Sequence, residues 1–107
     1  LALDLVDALA PTGRGAVWSA TSDDLNVNVV AWSEGEGVGR HRNDERDVLL
    51  VVLSGAGKVI VGAASHPVAA GTVLLIPAGA EREVRAGPEG IRYVTAHVRR
   101  APGVPLA

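Results

Sequence analysis

Beyond the first ten residues, hydrophobic positions do not recur at helical spacing. Short β-branched runs alternate instead with clusters of Gly, Pro, Asn and Asp, the pattern of an antiparallel sandwich or barrel. The runs at 15–21, 25–32, 47–53, 58–61, 72–76, 82–86 and 91–99 predict strands. Turn signals at 54–57, 63–67, 77–79 and 87–90 predict hairpin connections between them. Only 1–10 differs. Leu1, Leu5, Val6 and Leu9 share one side at helical spacing and Pro11 withholds its amide from the next turn, which predicts a short N-terminal helix.

Strand alternation sorts the polar residues by face. In 80–86, Arg82 shares a face with Val84, while Glu81, Glu83 and Arg85 project the other way. Arg82 therefore either lays its stem on apolar surface with the guanidinium in water or turns inward. In the last strand, Val94, Ala96 and Val98 form an apolar face, and Tyr93, Thr95 and His97 a polar but uncharged one. Either face is able to point inward, so His97 is read both as an ordinary hydrogen-bonded histidine and as a cavity residue.

Composition narrows the class. The chain of 107 residues is a single-domain length. A domain this short buries only about two thirds of its unfolded surface, so a homodimer is expected to cover the outer face of one sheet. Hydrophobic residues make up 48% with no Phe, leaving Val, Leu, Ile and Ala to fill the interior, which favours strands. The absence of Cys removes disulfides, thiolate nucleophiles and Cys-ligated metal centres. A net charge of −2 gives no positive field for nucleic acid or anionic lipid. No apolar run approaches the ~20 residues of a membrane helix, and Asp4 and Asp7 interrupt any signal-like start. The expected compartment is cytoplasmic, and because the chain opens on Leu1 rather than Met, residues upstream are expected.

Two segments carry the most information. The first places Gly35, His41, Asn43 and Val48 ahead of Gly55; the second places Gly71, Pro77, Gly79 and Arg82, with fifteen residues between Gly55 and Gly71. This spacing resembles the paired motifs of the cupin superfamily, Gly-x5-His-x-His-x3,4-Glu-x6-Gly and Gly-x5-Pro-x-Gly-x2-His-x3-Asn. The resemblance runs from about Gly35 to Val98 and implies an all-β fold, a cupin-type antiparallel β-barrel (jelly roll) over 15–99, flanked by the helix and a tail at 100–107.

The departures from the motif concern chemistry. The resemblance implies a three-histidine, one-glutamate metal site, of which only His41 survives. Asn43 stands at the second histidine, Val48 at the glutamate and Arg82 at the last histidine. Valine donates nothing, an amide oxygen is a weak ligand for a transition ion, and guanidinium has no lone pair to give and repels a cation. No metal or other cofactor is therefore expected. The alternative is a divalent transition metal on a rearranged set of His41, Glu45 and His97, the composition of a facial triad. Against it, 43–47 is rich in turn residues, which sends Glu45 and Asp47 into solvent.

Without a metal, the resemblance implies that His41, Asn43 and Arg82 line one cavity, where a planar cationic fork suits a carboxylate or phosphate. Its rival is an internal salt bridge from Arg82 to Glu45 or Asp47. The expected function is a small-molecule-binding module for an anionic or polar ligand, with His41, Asn43, Glu45, Arg82 and His97 as candidate ligand-binding residues. The alternative is a cupin enzyme, metal-dependent and of dioxygenase or isomerase type, or metal-free with His41 as general base. A third class is a dimerisation domain without a ligand. His66 is expected on the surface in a turn, and Trp18 and Trp32 in packing roles with ligand stacking as the alternative. Neither serine hydrolysis nor a nucleotide-type phosphate cradle is supported, because no G-x-S-x-G is present and the glycines at 35–39 precede no helix.

Overall fold

The structure is a computed structural model and describes residues 14–99. The helix expected at 1–10 and the tail at 100–107 lie outside the described residues. Seven strands follow one another: β1 (Gly15–Thr21), β2 (Leu25–Trp32), β3 (Gly37–Arg42), β4 (Val48–Val61), β5 (Ala64–Ala69), β6 (Val73–Ile76) and β7 (Glu81–Val98). Every pairing is antiparallel. Among the described residues no helix is long and apolar enough to cross a membrane.

Two long strands organise the barrel by serving both of its walls. The second half of β7 pairs with β2 (Val30 opposite Tyr93) and with the first half of β4 (Leu50 opposite Thr95), and the latter also pairs with β6. The first half of β7 pairs with β3 (His41 opposite Arg82) and with the second half of β4 (Val59 opposite Val84), which continues to β5. Between the halves, the β4–β7 register shifts at Val52/Ser54 and Gly55/Gly57. Gly55 and Gly90 hold φ of +73° and +76°, the left-handed region open to glycine. A Cβ on Gly55 would lie 2.2 Å from the Gly90 carbonyl oxygen, so the two backbones touch where the strands bend.

This corrects the expected hairpins at 54–57 and 87–90. The glycines there bend continuous strands rather than ending them, because the ladder resumes on the far side of each shift. Strand β5 replaces most of the turn expected at 63–67, and half-buried His66 sits within it opposite Val59. Pro67 disguised this strand in the sequence. It is tolerated because β5 ends the sheet order, where a missing amide leaves no inner partner unbonded.

Leu50, Val52, Val59, Val68, Ile76 and Ile91 are the aliphatic heart of the core, all at or below 4% exposure. Alternation sends Tyr93, Thr95 and His97 inward and Val94, Ala96 and Val98 outward. The outward face continues across register partners Leu75, Leu49, Ala96 and Val27. Leu25, Leu49, Val73, Leu75 and Val98 are exposed on it.

Candidate functional site

A cavity of about 480 Å³ opens between the two walls. His41, Asn43, Arg82 and His97 all line it, four of the five candidate residues named from the sequence. Glu45 does not. Asn43 Oδ1 accepts from the amides of Glu45 (3.0 Å) and Arg46 (3.2 Å), which curls the chain after β3 and leaves the Glu45 carboxylate exposed, 4.0 Å from Arg46. That same turn commits the oxygen of the Asn43 amide, so the group it has left to offer a ligand is the Nδ2 donor.

Arg82 is the buried charge of the site, at 4% exposure. Its Nε donates to the Ala80 carbonyl (3.0 Å) and its Nη2 to the Pro77 carbonyl (3.1 Å). The Pro77–Ala80 turn is fixed in its turn by the neighbouring loop: Ala78 N donates to Asp47 Oδ1 (2.8 Å) and Gly79 N to the Asn43 carbonyl (2.8 Å). Asp47 is thus spent on the backbone, and among the described residues no carboxylate pairs with Arg82. Both sequence alternatives for Arg82, a guanidinium in open water and a salt bridge to Glu45 or Asp47, give way to a cation seated among carbonyls. Burial lowers its pKa from the ordinary arginine value, but guanidinium stays charged throughout the neutral range.

Both cavity histidines are oriented by main-chain carbonyls. His41 Nδ1 lies 2.9 Å from the Gly39 carbonyl and His97 Nδ1 2.9 Å from that of Val98. A carbonyl only accepts, so each Nδ1 carries a proton and, in the neutral ring, each Nε2 bears a lone pair. His97 Nε2 is approached by Asn26 Nδ2 at 3.3 Å, leaving His41 Nε2 as the freer acceptor.

Trp32, for which the sequence leaves ligand stacking as the alternative, also lines the cavity, beside Tyr93, which the site reading of the sequence missed. Trp32 Nε1 donates to the Tyr93 hydroxyl at 3.0 Å. Membership of the same alternating face as His97 was the signal available for Tyr93 and Thr95. Burial pushes the Tyr93 phenol above its usual value, with the Trp32 hydrogen bond opposing. An unfolded tyrosine titrates near 10. Above that pH the unfolded chain therefore binds fewer protons than the folded one, and stability falls as pH rises; below it, this contribution is fully present. Tyr93 is the single tyrosine of the chain, so alkaline titration of phenolate absorbance reads it alone. The expected result is a midpoint above that of free tyrosine, falling back to about 10 in denaturant; coincident midpoints would contradict the buried phenol.

The four places that the family motif uses for metal ligands do converge here. His41, Asn43, Val48 and Arg82 line one space. Their chemistry does not fit a divalent ion: one imidazole, an amide whose oxygen is engaged, an alkyl group and a fixed cation.

Comparisons with known proteins agree with this fold. The chain is 32% identical over 74 residues to dimethylsulfoniopropionate lyase DddW of Ruegeria pomeroyi, a stretch covering 69% of this chain and 48% of that protein. The chain thus spans about half the length of that curated relative. A Bacillus halodurans crystal structure superimposes with a TM-score of 0.77 at 25% identity, covering 94% of this chain and 80% of that one. KdgF from Halomonas sp. gives a TM-score of 0.71 at 18% identity, covering 78% and 76%. The cupin domain family matches residues 28–96, from within β2 almost to the end of β7, and on that match the chain belongs to the cupin family.

Proposed function

We propose that this cupin domain binds a small anionic molecule in the cavity, held by Arg82 as a fixed cation and by the Asn43 amide as a neighbouring donor. The observation that carries this reading is a buried guanidinium lining a cavity with no carboxylate partner among the described residues. Burying a charge is costly unless it is paired, and carbonyl dipoles offset only part of that cost. Two carbonyls occupy the Nε and one Nη2 donor, and the rest of the guanidinium's five donors are left for a planar anion. The relative in Ruegeria pomeroyi is named for dimethylsulfoniopropionate, a zwitterion whose carboxylate end is a group of the kind Arg82 would hold.

A thermal-shift series with acetate, propionate, dimethylsulfoniopropionate and inorganic phosphate tests the reading. Ligand at about 100 times its Kd adds about 2.7 kcal/mol, which raises Tm by roughly 10 °C or more for a domain of this size. Arg82→Gln is expected to weaken binding by about tenfold or more, the worth of charged hydrogen bonds. A variant that keeps every shift of the wild type overturns Arg82 as the anchor.

A second reading, a cupin enzyme acting on such an acid, is favoured by the lyase name of that relative. Under it, His41 Nε2 is the group available to take a proton. Turnover of dimethylsulfoniopropionate by the wild type and its loss in His41→Gln, with binding retained, would select this reading over simple binding.

A further inference from the structure

Beyond Arg82 and Asn43, the cavity holds another free donor. The Tyr93 side chain is 2% exposed, and its oxygen accepts from Trp32 Nε1. Indole only donates, so Trp32 is unable to take the phenol proton, and among the described residues nothing else accepts it. A phenol is neutral, and therefore a donor, at physiological pH, and burial only moves this one further from ionisation.

The position of this donor relative to Arg82 follows from the strands. On β7 the cavity row consists of Arg82 and Val84 before the bend and Tyr93, Thr95 and His97 after it. Val84 and Tyr93 are the cavity residues next to the bend, and Arg82 and Thr95 each lie one same-face step further out. Such a step is two residues, about 7 Å. The walls between the two levels are apolar: Val30, Val38, Leu50 and Val84.

We infer that the ligand is a short-chain carboxylate bearing a second, uncharged oxygen acceptor, its carboxylate on Arg82 and Asn43, its chain against these valines and Leu50, and its carbonyl or ether oxygen accepting from the Tyr93 hydroxyl. A second carboxylate does not suit the inner position, since no cation there offsets its loss of water. A plain alkyl end leaves the buried hydroxyl proton unpaired. This inference rests on Arg82 anchoring an anion and adds the feature that selects among anions.

The test compares 4-oxopentanoate and 5-oxohexanoate with pentanoate, hexanoate and glutarate, by calorimetry and thermal shift, on the wild type, Tyr93→Phe and Arg82→Gln. On the wild type, an oxo acid is expected to bind about three- to tenfold tighter than its parent acid, the worth of one neutral hydrogen bond, and tighter than glutarate. Tyr93→Phe, its fold checked by circular dichroism, is expected to bind the parent acids at least as tightly as the wild type does, since no hydroxyl proton is then left unpaired, and to lose the preference. Arg82→Gln is expected to lose affinity for all five. Equal binding of oxo and parent acids, or a preference that survives in Tyr93→Phe, overturns the Tyr93 contact while leaving the anion pocket standing. Failure of every carboxylate to bind the wild type overturns both.

Discussion

Gly37→Ala is expected to destabilise the domain by at least about 3 kcal/mol, at the upper end of overpacking effects and a large share of the roughly 5–15 kcal/mol that holds a domain together. A Cβ there would sit 1.8 Å from the Val84 carbonyl oxygen and 2.7 Å from its carbon. Those atoms are backbone in β7, the strand that β2, β3 and β4 all pair with. They are unable to retreat without breaking other ladders, so β3 must lift away and carry His41 with it. Two residues along, a Cβ on Gly39 would meet nothing within 4 Å. Gly39→Ala is therefore expected within about 0.5 kcal/mol of the wild type. Urea denaturation of both variants checks the contrast, with insolubility of Gly37→Ala counting as the same result. A Gly37→Ala midpoint equal to that of Gly39→Ala would show that β3 is not held against β7 at this point.

The second large effect is a gain. The combined variant Asn43→His, Val48→Glu, Arg82→His is expected to retain close to one transition ion per chain through purification without chelator, against little in the wild type. The three positions already face His41 across one cavity, and three imidazoles with one carboxylate suit zinc, nickel or iron. Removing the guanidinium matters as much as adding donors, because a fixed charge in the same space repels a divalent ion. Val48→Glu alone is expected to gain no metal: the new carboxylate finds Arg82 as its counter-ion. Elemental analysis gives the count for all three proteins. Stoichiometric metal in the wild type would mean that other donors supply a site, and the reading of the cavity as an anion pocket would fall with it.

Much of the frame was legible in the chain. The bounds of β1 and β2 follow from short apolar and β-branched runs set between clear breakers, and the motif glycines placed His41, Asn43 and Arg82 in one space. Strand β3 was hidden because Gly37, Gly39, Arg40, His41 and Arg42 bring neither apolar periodicity nor β-branched residues apart from Val38. Its pairing to β7 comes from tertiary register rather than local preference. The continuous courses of β4 and β7 were hidden for the opposite reason. Gly55 and Gly90 read as turn residues, and only the partner strand shows that each bend is answered by another. Asn43 carries a similar lesson at the site. Its place in the motif brought it to the cavity, and the turn-rich run 43–47 pointed to an exposed Glu45, but that the Asn43 oxygen itself caps this turn, leaving only its Nδ2 donor for a ligand, depends on hydrogen bonds to backbone that composition does not reveal.

The contacts at Gly55 and Gly90, where β4 and β7 pass from one wall to the other, and at Gly37 and Val84, where β3 lies against β7, are made by main chain without side chains. The frame at these points therefore does not depend on the polar residues of the cavity mouth. His41, Asn43, Val48 and Arg82 can change in charge and donor character while the buried Leu50, Ile76 and Val84 keep the strands in place, so a cradle for an ion and a seat for an acid are two furnishings of one architecture. Diversification of chemistry on such a frame needs only a few exchanges at those positions, with no reshaping of the backbone between them.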